Sequence, residues 1–187
     1  MAGKDGAIHQ DAASAPAPDD LPDGADELAA HAEVLLRRAQ KNGHSLATAE
    51  SCTGGLLAAL FTDIEGLSST FERGFVTYSE RSKCELLGLE PSLIARHGIV
   101  SREVAQAMAS GALEHSAATI AIGITGFAGH AGPHDEPGLV HLAVSGRGLT
   151  PVHRECHFGA APRDRVRHCA IRAALEMLET ALATQHR

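Results

Sequence analysis

Two kinds of segment alternate along this chain, and that alternation limits what it can fold into. Apolar residues recur at helical spacing from Asp26 to Gln40, from Ser101 to about His115 and from Arg163 to Leu182. Apolar runs of strand length occupy Ser45 to Ala49, Phe71 to Tyr78, Ala118 to Ile124, Leu139 to Val144 and Val152 to Phe158. Shorter helices are expected at Leu56 to Thr62, from a Ser79 cap through Leu87 to a Gly88 stop, and from Pro91 to His97. Strands and helices so interleaved pack most economically as one α/β domain. The expected fold is a three-layer α/β/α sandwich around a central, mostly parallel or mixed sheet.

Composition sets the rest of the frame. Residues 1–22 are Ala, Asp, Pro and Gly with almost no large apolar side chain, so a disordered acidic tail is expected ahead of a domain spanning 23–187. The formal charge is −7. Residues 1–27 hold seven acids against Lys4, a net of −6, which leaves −1 for the remainder. That balance has the wrong sign for a broad phosphate-backbone surface. Five Phe, one Tyr and no Trp are too few for a platform that stacks single-stranded bases. Cys52, Cys84, Cys156 and Cys169 have neither CxxC nor close spacing, against a disulfide framework or zinc knuckle. No apolar run approaches the ~20 residues of a membrane span. A cytoplasmic protein with no nucleic-acid or membrane partner is expected.

The densest chemistry lies at Glu50-Ser51-Cys52-Thr53-Gly54-Gly55, between an expected strand and an expected helix. A serine there would sit near unpaired N–H groups at the helix start, which can hold an oxyanion or a phosphate. Gly54 and Gly55 would permit close backbone approach. The competing reading makes Ser51 or Thr53 a helix cap and nothing more. Lys83, five residues after Tyr78, is the candidate base, since a partly desolvated amine has a lowered pKa. A solvated lysine and a core tyrosine are the alternative, and spacing alone does not bring them to Ser51.

Thr125-Gly126-Phe127-Ala128-Gly129 ends an apolar strand, where open α/β sheets bind ligands. Arg163, Arg165 and Arg167 open the last helix, at the end where cations are unfavourable, so one of them facing an anionic ligand is a reasonable reading. Among twelve histidines, His153 with His157 and His130 with His134 and Asp135 invite a metal reading, but neither set has a known metal-motif spacing. Cys52 could be a reactive thiol, with packing the preferred role.

Together, Thr48-Ala49-Glu50-Ser51-Cys52-Thr53-Gly54-Gly55, Phe71 to Ser79 with Lys83, Leu87-Gly88, Gly98 to Ser101 and Thr125 to Gly129 resemble the CinA C-terminal-domain family. The resemblance runs from about Leu28 to Leu182. It implies a nicotinamide-nucleotide amidohydrolase, which converts the carboxamide of nicotinamide mononucleotide to nicotinate mononucleotide and ammonia in NAD recycling. The stand-alone form is expected, without the nucleotide-pyrophosphatase domain of some members, and a homodimer with no cofactor or metal.

Residue by residue, the resemblance implies Ser51 as nucleophile, Lys83 as general base and Tyr78 as the hydroxyl completing the catalytic network. Thr125 and Gly126 fall on the substrate-contacting loop, Arg163 on the substrate-binding arginine, and Thr53, Gly54 and Gly55 on the nucleophile turn that would meet substrate. Two segments depart from the family pattern. The family loop AGPxGG, followed by KPVG, becomes residues 128–138 here, with His130 at the first proline and Glu136 at the lysine. Gly159-Ala160-Ala161-Pro162 replaces a short Gly-Asp before Arg163. Glu136 beside an anionic phosphate would be repulsive. The alternatives are a non-hydrolytic nucleotide- or partner-binding member, an amidase with a shifted substrate, and a metal-dependent hydrolase using the histidine-rich loop.

Overall fold

The computed structural model describes residues 24–129, 132–133, 135–149 and 151–184. The tail expected at residues 1–22 lies outside them. The elements run α1 (Ala25–Lys41), β1 (Leu46–Glu50), α2 (Leu56–Thr62), β2 (Phe71–Val76), α3 (Glu80–Leu87), α4 (Pro91–His97), α5 (Arg102–Glu114), β3 (Ile120–Gly126), β4 (Leu139–Gly146), β5 (Val152–His157) and α6 (Arg163–Thr184). Every expected element is present, with ends displaced by a few residues at most.

The five strands form one sheet in the order β2-β1-β3-β4-β5. Strand β1 is parallel to β2 and β3, whereas β3–β4 and β4–β5 are antiparallel. The mixture follows from the connections. Helical crossovers separate β1, β2 and β3 in sequence and return each strand in the same direction, while β4 and β5 follow without an intervening helix.

The two faces of the sheet carry different side chains. Leu46, Ile120, Ile122, Ile124, Leu142 and Val144 pack with residues of α1, α2 and α6. The other face carries Ala47, Ala49, Ala121 and Ala143 against α3, α4 and α5. Small side chains bring α5 close to the sheet: a Cβ on Gly123 would lie 2.4 Å from the Ala105 carbonyl oxygen. Close approach on one face and branched aliphatics on the other fill a core nearly free of aromatic rings.

This register also assembles the site. Glu50 pairs with Val76 on one side and with Ile124 on the other. The segments following β1, β2 and β3 therefore emerge together at the carboxyl end of the parallel strands, where open α/β sheets place their ligands.

Candidate active site

Ser51 continues β1 by one bond, its N–H donating to the Ile124 carbonyl at 3.0 Å, before the chain turns and Gly54 N–H closes back on the Ser51 carbonyl at 3.1 Å. Lys83 approaches from α3. That helix starts in a capping box, in which Ser79 accepts from the Ser82 N–H and the Ser82 side chain accepts from the Ser79 N–H. Lys83 is fully buried. Its Nζ donates to the Thr77 carbonyl at 2.6 Å and lies 3.0 Å from Ser51 Oγ. Burial disfavours the ammonium form and lowers the lysine pKa from 10.5 to about 8. A nucleophile-type hydroxyl is thus in hydrogen-bond contact with an amine that releases its proton near pH 8.

The helix-start N–H groups expected to hold an oxyanion are already occupied. Glu50, fully buried, accepts from Gly55 and Leu57 through Oε2, both at 3.1 Å, and from Ala58 through Oε1 at 2.8 Å. Leu56 N–H bonds the Thr53 carbonyl and Ala59 N–H the Gly55 carbonyl. The first turn of α2 therefore has no free donor to offer, which corrects the expectation drawn from the turn sequence. The N–H groups of Cys52 and Thr53 have no backbone partner among the described residues, although that of Cys52 meets its own thiol. Gly54 and Gly55 have φ of +63° and +93°, conformations that require glycine at this turn. Arg167 braces it from α6, donating to the Thr53 carbonyl through Nε at 3.2 Å and Nη2 at 2.5 Å.

Beside this turn is a cavity of about 120 Å³ lined by Cys52, Tyr78, Gly126, Phe127, Ala128, Gly129 and Arg163. Tyr78 is 64% exposed, and its hydroxyl accepts from Arg163 Nη2 at 3.3 Å. It bonds neither Ser51 nor Lys83. The expected constellation is thus two pairs, Ser51 with Lys83 and Tyr78 with Arg163. Thr125 is buried and donates to the Ile99 carbonyl at 2.9 Å, so its hydroxyl braces the fold, while Gly126 lines the cavity. The Thr53 hydroxyl is buried with no partner among the described residues. Burial raises the Cys52 thiol to about 11 and keeps it protonated, in line with packing.

The family model of the CinA C-terminal domain matches residues 28–182. This chain is a member of that family. Among the relatives, the nicotinamide-nucleotide amidohydrolase PncC of Escherichia coli K12 is 42% identical over 155 residues, covering 81% of this chain and 93% of that protein. A CinA-like protein of Myxococcus xanthus is 43% identical over 151 residues, covering 80% of this chain. The match spans only 36% of that longer relative. The crystal structure of the competence/damage inducible protein CihA from Agrobacterium tumefaciens superposes with a TM-score of 0.80 at 39% identity, covering 83% of this chain and 95% of that one. A CinA-superfamily protein of Escherichia coli gives 0.78 at 32% identity, covering 85% and 92%.

Glu136, which lies in the segment read from the sequence as departing from the family pattern, is tied to β5. Glu136 Oε1 lies 2.7 Å from His157 Nδ1, and His157 Nε2 lies 2.9 Å from Glu155 Oε1. The Glu136 hydrogen bond raises the His157 pKa. His153 instead stacks on His141, 3.0 Å between ring nitrogens, and burial lowers the pKa of both. Among the described residues no group of three or more His, Cys, Asp or Glu is arranged to hold a metal ion, and His130 and His134 lie outside them.

Sequence reasoning missed three groups: Glu50 as the anchor of α2, Arg167 as the brace of Thr53, and the Thr77 carbonyl that holds Lys83. An acid ending a strand within reach of the next helix start was the readable signal for the first.

Proposed function

We propose that this CinA-family domain hydrolyses the carboxamide of nicotinamide mononucleotide to nicotinate mononucleotide and ammonia, with Ser51 as nucleophile and Lys83 as base. The observation that carries the reading is the 3.0 Å contact between Lys83 Nζ and Ser51 Oγ inside the protein. The 42% identity to a nicotinamide-nucleotide amidohydrolase supports the substrate class.

Neutral Lys83 takes the Ser51 proton as Oγ attacks the carboxamide carbon. The Cys52 and Thr53 N–H groups hold the resulting oxyanion. The Lys83 ammonium then protonates the amine, the C–N bond breaks and ammonia leaves, with the nicotinate mononucleotide acyl group held as an ester on Ser51. Water, deprotonated by Lys83, attacks the ester, releases the carboxylate product and returns the serine hydroxyl.

Pockets that enclose whole small ligands are commonly about 300–1,000 Å³; the smaller cavity at Cys52, next to the nucleophile in sequence, is read here as the place of the pyridine carboxamide, with the rest of the nucleotide at its rim. Arg163 lines that cavity and is the cation placed to meet the phosphate, with Tyr78 steadying it. Incubation with nicotinamide mononucleotide should release ammonia and nicotinate mononucleotide in equal amounts. Binding without either product would replace this reading with that of a nucleotide-binding protein, the alternative favoured by Glu136 in place of the family's lysine.

A further inference from the structure

Glu50 is the only buried carboxylate among the described residues, and it forms no ion pair there. A bare buried carboxylate is costly unless its oxygens are well supplied with donors. Here the donors are the N–H groups of Gly55, Leu57 and Ala58, five, seven and eight residues further along. The consequence falls on Ser51. Covalently attached to Glu50 at one end of the turn and tied through that carboxylate to α2 at the other, Ser51 sits inside a closed ring of chain. Both oxygens face N–H donors, so the position requires a group that accepts on both sides. Glutamine would turn an NH₂ toward an N–H and leave one of them unpaired.

We propose that Glu50 is a positioning residue for the nucleophile. By closing the turn it sets Ser51 Oγ on Lys83 Nζ and keeps the Cys52 and Thr53 N–H groups out of the bonds that close α2. This rests on the serine amidohydrolase reading above. The groups assigned to the substrate, Arg163 and the Gly126–Gly129 segment, belong to α6 and to the end of β3, outside this ring. Of the cavity lining only Cys52 lies within the ring, so loss of the carboxylate acts mainly on the chemical step.

The test is Glu50→Gln, compared with wild type in kcat and KM for nicotinamide mononucleotide, in the rate at which a fluorophosphonate probe labels Ser51, and in amide hydrogen exchange at Gly55, Leu57 and Ala58. The expected result is a kcat lower by about 10²-fold, as for a misplaced reacting atom, with KM little changed. Probe labelling should slow in parallel, and the three amides should exchange faster. A folded variant with wild-type kcat, labelling and exchange overturns the proposal, as does a loss confined to KM. Wild-type protein that takes up the probe but releases no ammonia refutes the amidohydrolase reading alone, and the labelling rates still decide the role of Glu50. If the glutamine variant does not fold, Glu50→Asp carries the same comparison. Wild-type exchange at the three amides as fast as in an exposed loop overturns the proposal without any variant.

Discussion

Lys83 Nζ lies 3.0 Å from Ser51 Oγ, although the two residues are 32 positions apart and belong to different layers of the fold. The contact exists because β1 and β2 are parallel neighbours: the segments following them leave the same end of the sheet, one carrying the serine turn and the other leading into α3. Lys83→Met, which keeps much of the volume and removes the amine, should lower kcat by about 10²–10⁴-fold, the range for loss of a general base. Lys83→Arg should be no better, since a guanidinium does not give up its proton. Steady-state rates on purified variants check both.

The pH profile follows from the same amine. Lys83 is the base only when neutral, and its pKa is about 8. The rate should rise with pH through that value and level off above it. A rate already flat from pH 6 to 9 would mean that no group titrating there is required.

Stability should carry the same signature. Folded Lys83 loses its proton near pH 8, whereas in the unfolded chain it does so near 10.5. Between those values the unfolded state binds more protons, so stability rises with pH across that window. Denaturant unfolding at several pH values should show wild type gaining on Lys83→Met from pH 8 to 10, and no divergence between pH 5 and 7.

Much of the fold was readable locally because period and punctuation are local. Leu28, Ala32, Leu35, Leu36 and Ala39 mark one face of α1, and Ser79 and Gly88 bracket α3 at its two ends. Strand pairing is not local, so the sequence left parallel and mixed sheets open. The site divides in the same way. The TAESCTGG stretch carried Ser51, but nothing in it tells which N–H groups the Glu50 carboxylate reaches. Arg163 and Arg167 lie one helical turn apart on α6; the resemblance points to the first, and the fold lines the cavity with it and turns the second to the Thr53 carbonyl. Thr125 reads as a ligand contact from its place at a strand end and from the resemblance, and its hydroxyl partner, the Ile99 carbonyl 26 residues away, is not readable locally.

Tyr78 and Arg163 should behave as a unit. Tyr78→Phe removes the acceptor that holds the guanidinium, and Arg163→Ala removes the cation itself. Each should raise KM. In a double-mutant cycle on kcat/KM the second change should add little to the first, with a coupling of about 0.5–1.5 kcal/mol, the range for one hydrogen bond. Fully additive losses would separate the two residues.

Packing of α5 leaves its own test. A Cβ on Gly111 would stand 2.1 Å from the Leu87 carbonyl oxygen, with backbone rather than a flexible side chain in the way. Gly111→Ala should destabilise by about 1–3 kcal/mol, as overpacking does. Thermal unfolding reads it directly, and an unchanged midpoint would mean that α3 and α5 are not so close.

The most direct test is covalent. Protein mixed with nicotinamide mononucleotide, quenched in acid within one turnover and digested for mass spectrometry, should carry the nicotinate mononucleotide acyl group, with its ribose phosphate still attached, as an ester on Ser51. The Ser51→Ala variant should carry none and release no ammonia above background. Ammonia release by that variant at the wild-type rate would contradict the mechanism.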